Sequence, residues 1–167
     1  MKKMPAEVLL YARAYAALDR LTPIRADCGE LCGRRCCQGD EETGMILFPH
    51  EELLLNGAGY RLLPREMQGR HVLMAVCGGR CERRRRPLSC RVYPYAPTLR
   101  DGTVRVEPDP RARPVCPLLL PEAEPYIEPA FLQTIETTFT EMLRSPAVRA
   151  FLTAYTSMLD EYRRFTF

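Results

Sequence analysis

The chain has 167 residues, of which 46% are apolar and 27% charged, and its formal net charge is +3. This composition is ordinary for a folded globular domain, so a wholly disordered chain is excluded. The net charge is too small to indicate a nucleic-acid or other acidic partner by itself. The length suits one domain, and we expect residues 1–167 to form a single unit.

The first periodic segment is an amphipathic helix near the N-terminus. Apolar side chains recur at helical spacing over residues 5–20. Glu7 precedes the partly apolar run from Val8 to Leu18 and Arg13 interrupts it, which leaves the run too short for a secretory signal. No other segment approaches a membrane span. We therefore expect a cytoplasmic protein without membrane contact, in which cysteine thiols are kept reduced.

The segment that follows is predicted to be a loop. Residues 27–44 show neither a helical nor a strand period and are interrupted by glycines. Pro49 and the acidic residues after it predict the start of a helix that ends at Gly57. A further short helix is possible over residues 64–70, and residues 71–76 suit a strand.

The second half of the chain begins with a predicted β-hairpin. Residues 91–95 and 103–106 resemble two strands, and Asp101-Gly102 between them is a common hairpin turn signal. Prolines then recur up to Pro129, so this stretch is expected to be extended and irregular.

Two helices are predicted to close the chain, over about residues 128–144 and 146–163. Ser145-Pro146 separates them, because serine caps helices and proline suits a first turn. The resulting fold class is an α-rich (α+β) domain with a metal-organised, cysteine-rich loop core, a short β-hairpin and terminal helices.

Eight cysteines dominate the sequence between these helices, and the predicted elements place them in loops and at strand ends. The unit Cys-Gly-x-x-Cys occurs three times, beginning at Cys28, Cys32 and Cys77. A glycine after a thiolate permits a tight turn whose backbone N–H groups point back at the sulfur. The candidate metal ligands are Cys28, Cys32, Cys36, Cys37, Cys77, Cys81, Cys90 and Cys116.

Closely spaced reduced cysteines are more typical of metal ligands than of disulfides. A structural zinc takes four ligands and an iron–sulfur cubane takes four cysteines, so eight cysteines suit two centres. The adjacent pair Cys36-Cys37 fits one chelate poorly. It either bridges two centres or supplies one ligand and one buried thiol, and the spacing leaves the grouping of the cysteines open.

Arginines surround the cysteines in the sequence. Four thiolates around one zinc leave a local charge of about −2, which nearby guanidinium groups would offset. An alternative function is that the run Arg83–Arg86 binds a phosphate backbone, which would make the chain a nucleic-acid-binding module with a structural zinc. His50, at the predicted helix start, is a further possible ligand. The arginines near cysteines are Arg34, Arg35, Arg80, Arg83, Arg84, Arg85, Arg86 and Arg91.

The cysteine pattern resembles the YkgJ-type or CxxCxxCC cysteine-cluster family, which is described as zinc- or iron-chelating. The matching parts are Cys28, Cys32 and Cys36-Cys37, then Cys77 and Cys81, then the run Arg86-Pro87-Leu88-Ser89-Cys90-Arg91-Val92-Tyr93-Pro94, and finally Cys116-Pro117. The resemblance covers about residues 25–118 and leaves a C-terminal helical region, about 119–167, outside it. It implies a zinc or iron–sulfur centre held by the eight cysteines.

The same resemblance leaves an enzymatic alternative open. Flagellin lysine N-methylases join a similar cysteine cluster to methyl transfer, so the chain could be an iron–sulfur oxidoreductase or a methyltransferase-related enzyme. No segment of the sequence resembles a loop that binds S-adenosylmethionine, and a metal-binding protein is the first hypothesis.

Overall fold

A computed structural model describes residues 5–165. Its three long helices are α1 (Ala6–Leu18), α4 (Pro129–Met142) and α5 (Pro146–Phe165), and two short ones are α2 (Gly29–Cys32) and α3 (Leu88–Val92). The long helices confirm the predictions at both ends of the chain. The predicted division at Ser145 is also confirmed, since the Val148 N–H donates to Ser145 Oγ at 3.3 Å.

The strands form two small antiparallel sheets. In the first sheet, β3 (Arg70–Val76) pairs with both β1 (Met45–Ile46) and β2 (Arg61–Met67). In the second, β4 (Tyr95–Arg100) pairs with β5 (Thr103–Pro108). The turn between β4 and β5 is Asp101-Gly102, as predicted, and both residues have positive φ.

Three local predictions are wrong. Residues 64–70 are not helical, because Gln68 and Gly69 both have positive φ and turn β2 back onto β3. The helix predicted from Pro49 is only a single 3₁₀ turn, Glu51–Leu54, since His50 is left-handed. The strand predicted over 91–95 begins only at Tyr95, because Arg91 and Val92 belong to α3 and Tyr93-Pro94 form a turn.

The main core is apolar and lies among the helices. The buried rings of Tyr11, Phe131, Phe139 and Phe151 come from α1, α4 and α5. Phe48 inserts between these helices, with its ring centre 4.7 Å from that of Phe151 and 5.3 Å from that of Phe139. This contact anchors the segment next to Glu51. An apolar core of this kind accounts for the packing of the helices, and a metal-organised core stays a prediction.

The helices of the described residues include none that is long and apolar enough to cross a membrane.

Candidate metal centre

The eight cysteines lie on short turns beside the apolar core, and each is a free thiol. The expectation that they occupy loops and strand ends holds for Cys28, Cys77, Cys81 and Cys116. The other four lie in short helical segments: Cys32 in α2, Cys36 and Cys37 in the 3₁₀ turn Arg35–Cys37, and Cys90 in α3. Single helical turns of this length are set by their contacts, so the sequence period does not reveal them.

The turn between Cys32 and Cys36 depends on two left-handed residues. Gly33 has φ of 61° and Arg34 has φ of 57°. Arg34 is held there because its backbone N–H donates to Gly29 O at 3.0 Å and its guanidinium pairs with Asp27 at 2.9 Å. This reversal ends α2 and returns the chain to the other thiols.

Two neighbouring cavities contain all eight cysteines in their walls. The first has a volume of about 60 Å³ and the second about 50 Å³. Cys28, Cys32 and Cys116 line only the first cavity, whereas Cys37, Cys77 and Cys81 line only the second. Cys36 and Cys90 line both.

Electrostatic effects group Cys28, Cys32, Cys36 and Cys116 together, and we call them the first thiol group. Burial raises the pKa of Cys116, and Cys28 and Cys32 raise it further. The interaction with Cys37 and burial raise the pKa of Cys36, with additional contributions from Cys32 and Cys28. These four thiols are therefore electrostatic neighbours.

The other four, Cys37, Cys77, Cys81 and Cys90, form the second thiol group. Burial raises the pKa of Cys90, and Cys81, Cys37 and Cys77 add to the effect. Burial also raises the pKa of Cys77, to which Cys81 and Cys37 contribute. Negative charge on several thiolates of one group is therefore unfavourable without a cation among them.

Cys36 and Cys37 connect the two thiol groups. The interaction between the two adjacent thiols lowers the pKa of Cys37 and raises that of Cys36. The guanidinium groups of Arg86 and Arg34 lower the pKa of Cys37 further. Cys37 is therefore the member of the pair that is poised to be a thiolate.

A backbone amide acts on one sulfur in each thiol group. The Gly79 amide opposes the rise in the pKa of Cys77, and the Leu118 amide does the same for Cys116. At Cys77 this is the effect predicted for a Cys-Gly-x-x-Cys turn. Such donors stabilise the thiolate form that binds metal.

Arg86 lies in the walls of both cavities. Its Nε donates to Cys81 Sγ at 3.3 Å. Burial acts to lower the pKa of Arg86, but this hydrogen bond and the charges of Cys81, Cys37 and Cys90 raise it overall. The arginine thus places a fixed positive charge where the thiolates of both groups would accumulate negative charge.

Two other arginines hold the backbone around Cys90. Arg91 is buried, and its guanidinium donates to Arg86 O at 2.8 Å and Arg84 O at 2.7 Å. Arg91 also stacks on the Tyr15 ring, at 4.3 Å from its centre. Arg83 reaches back to α1 and the residues after it, where it donates to Asp19 O at 2.8 Å. These contacts use the planar fork that distinguishes arginine from lysine.

Glu51 is a fully buried carboxylate beneath the cysteine turns. Its Oε1 accepts hydrogen bonds from the Leu88 N–H at 2.6 Å and the Tyr15 hydroxyl at 2.7 Å, and its Oε2 accepts one from the Phe48 N–H at 2.9 Å. Burial raises the pKa of Glu51, while these three hydrogen bonds and the charge of Arg91 oppose the rise. Glu51 therefore joins α1, the core segment at Phe48 and the first residue of α3.

Tyr60 contributes a buried hydroxyl to the second cavity. This hydroxyl has no hydrogen-bond partner among residues 5–165. Burial raises the pKa of Tyr60, and the nearby Cys81 sulfur adds to the effect. A buried hydroxyl without a partner is available to donate to a thiolate in this cavity.

The donor set fits a thiolate-bound metal by its chemistry. Within the described part of the chain, no three Cys, His, Asp or Glu side chains stand together as a preassembled ligand set. Each cavity nevertheless brings thiols from distant parts of the sequence to one place and has room for at least a water-sized body. His50 is exposed and lines neither cavity.

Sequence reasoning did not find Glu51 and Tyr60 as parts of this region. In the sequence alone, Glu51 is an ordinary acidic residue in the first turn of a predicted helix, and Tyr60 belongs to no motif. Comparison of the chain with protein-family models, curated proteins and solved structures gives no match. The resemblance to the cysteine-cluster family therefore stays a prediction from the cysteine pattern.

Proposed function

We propose that this chain is a metal-binding protein of the cysteine-cluster type, in which the eight cysteines hold zinc or an iron–sulfur cluster as a structural centre. The observation that carries the proposal is that eight free thiols, spread over residues 28–116, line two adjoining cavities. If the cysteines were unrelated buried thiols, we would not expect four separate turns of the chain to place them in the walls of the same two cavities.

The electrostatic surroundings support the same function. A thiolate in a half-buried cavity raises the free energy of the folded protein unless positive charge or hydrogen-bond donors lie nearby. Arg86 and the amides of Gly79 and Leu118 reduce this unfavourable free energy. A metal cation would supply the remaining positive charge. When bound, zinc or an iron–sulfur cluster would cross-link turns that have little hydrophobic area of their own, which adds directly to folding free energy.

The size of the cavities favours a structural centre over an enzyme. Pockets for small-molecule substrates have volumes of about 300–1,000 Å³. The two cysteine-lined cavities are about 60 and 50 Å³. They suit an inorganic centre better than a substrate beside it.

The arginine run has local partners that support a structural role. Arg83 donates to backbone carbonyls near the end of α1, Arg85 donates to Gly57 O at 2.6 Å, and Arg86 donates to Cys81. Guanidinium groups engaged in this way are less available to phosphates. We therefore favour the structural role of these side chains over the nucleic-acid-binding alternative.

Anaerobic purification followed by elemental analysis and visible spectroscopy tests the proposal. We expect either stoichiometric zinc in a colourless protein, or iron with sulfide and a visible absorption that oxidation removes. Cys32→Ser and Cys90→Ser should each lower the metal content, whereas Ser89→Ala, which alters a neighbour of Cys90, should leave it unchanged. A purified protein free of metal that also takes up neither zinc nor iron would contradict the proposal.

A further inference from the structure

We propose that the chain holds two separate four-cysteine centres: one formed by Cys28, Cys32, Cys36 and Cys116, the other by Cys37, Cys77, Cys81 and Cys90. This inference rests on the proposed metal-binding function and specifies it. The adjacent cysteines 36 and 37 serve different centres, so the peptide bond between them joins the two.

The local backbone explains why this pair divides. Cys36 and Cys37 belong to the 3₁₀ turn Arg35–Cys37. With about three residues per turn, consecutive side chains of a 3₁₀ helix point roughly 120° apart. Two such thiols are poorly placed to bind one ion together but well placed to face two cavities on either side of the turn.

The cavity walls assign six of the eight cysteines directly. Cys28, Cys32 and Cys116 belong to the first cavity alone, and three others, Cys37, Cys77 and Cys81, to the second alone. Each cavity thus has three thiols of its own and needs one more to complete the usual set of four.

The two shared cysteines are assigned by the geometry of the turn. Cys37 lines only the second cavity, and the side chain of Cys36 points roughly 120° away from it, so Cys36 is assigned to the first centre. Cys90 then completes the second centre. Each centre then receives four cysteines.

Arg86 stands between the two proposed centres. It lines both cavities and donates to Cys81. Two tetrathiolate zinc centres would each have a net charge of about −2. A guanidinium between them lowers their mutual repulsion and allows two like-charged centres to lie side by side.

Metal counting in paired variants tests the grouping. The wild-type chain, loaded with Zn²⁺ and gel-filtered, should retain two equivalents. The within-group double variant Cys28→Ser/Cys116→Ser should lose one equivalent, and so should Cys77→Ser/Cys81→Ser. The cross-group double variant Cys116→Ser/Cys77→Ser should lose both. Loss of both equivalents from a within-group variant that remains folded by circular dichroism, or retention of one by the cross-group variant, would overturn the grouping.

A measurement on the wild-type chain covers the case in which a variant fails to fold. Zn²⁺ is half removed with a chelator, the exposed thiols are alkylated with N-ethylmaleimide, and species with four labels are mapped by mass spectrometry. We expect the labels of each such molecule on one complete thiol group, with Cys36 and Cys37 never labelled together. Mixed sets of labelled cysteines, as a single bridged cluster would give, would overturn the inference. A wild-type chain that binds no Zn²⁺ would instead refute the proposed function itself.

Discussion

Glu51 offers a sharp test of how the cysteine turns are attached to the core. We consider Glu51→Gln, which removes the charge and replaces one carboxylate oxygen by an NH₂ group. All three of the polar contacts described for Glu51 come from donors: the Phe48 N–H, the Leu88 N–H and the Tyr15 hydroxyl. A glutamine side chain has only one acceptor oxygen and two donor hydrogens, so it cannot accept hydrogen bonds at both of the positions that the two carboxylate oxygens occupy.

The size of the effect follows from these contacts. If the glutamine oxygen keeps the bonds from Leu88 and Tyr15, its NH₂ group faces the Phe48 N–H, and a buried donor is left unsatisfied. That loss costs about 1–3 kcal/mol. The remaining bonds also lose the charge assistance that makes them roughly twice as strong as neutral ones. We expect Glu51→Gln to lower the free energy of unfolding by about 3 kcal/mol, which for a chain of this size corresponds to a fall in Tm of roughly 6–12 °C.

Urea unfolding followed by circular dichroism measures this change, with metal present and with metal removed. Glu52→Gln is the matched control, because it makes the same chemical change at the next position, where the side chain is half-buried. We expect the control to change stability by at most about 0.5 kcal/mol. Equal stabilities of the Glu51 and Glu52 variants would refute the reasoning, because they would mean that the buried donors do not depend on an ionised acceptor.

Three further predictions concern the arginines and the thiols. Arg91→Lys should destabilise the protein by about 2 kcal/mol in thermal unfolding, since a lysine ammonium lacks the planar fork whose separate N–H groups reach the carbonyls of Arg86 and Arg84. Arg105→Lys on the exposed side of β5 should be neutral. Arg86→Met should weaken Zn²⁺ affinity by about 10–100-fold in a competition titration with a chromophoric chelator, and the exposed Arg84→Met should not. Finally, burial raises the pKa of thiols such as Cys90, so these thiols are protonated near neutral pH without metal and must release protons on binding. Zn²⁺ affinity should therefore fall as the pH is lowered from about 8 to about 6, by roughly tenfold per pH unit for each proton released, and a pH-independent affinity would contradict this.

The elements that the sequence predicted well are those whose structure follows from a period or a local signal. The helical spacing over residues 5–20 and the cap at Ser145 correspond to α1 and to the start of α5. Asp101-Gly102 predicts its hairpin because few residues tolerate the positive φ that the turn needs. In each case the information lies within a few residues.

The elements that the sequence did not predict depend on distant contacts. Leu88–Val92 is helical in part because the Leu88 N–H is held by Glu51, which lies 37 residues earlier in the sequence. The pairing of β2 with β3 depends on the turn at Gln68, a residue with no strong preference for positive φ. No local pattern contains these constraints.

The candidate site shows the same division. The clustering of the eight cysteines in the sequence marks them as candidate metal ligands. Their spacing alone does not indicate which of them would share a centre. The grouping that we propose depends on the fold, which places Cys28 and Cys116 in the wall of the first cavity and Cys77 and Cys90 in the wall of the second. Tyr60 lies outside every motif and joins the second cavity only through the position of the strand it precedes.

The most direct test of the metal-binding account is a thiol count on the anaerobically purified chain, combined with its native mass before and after chelation. The account predicts a native mass that exceeds the chain mass by two bound centres, few thiols that react rapidly with Ellman's reagent, and eight that react once the metal is removed. A native mass equal to that of the chain alone, with all eight thiols reacting at once and no change on addition of Zn²⁺ or of iron and sulfide, would contradict it.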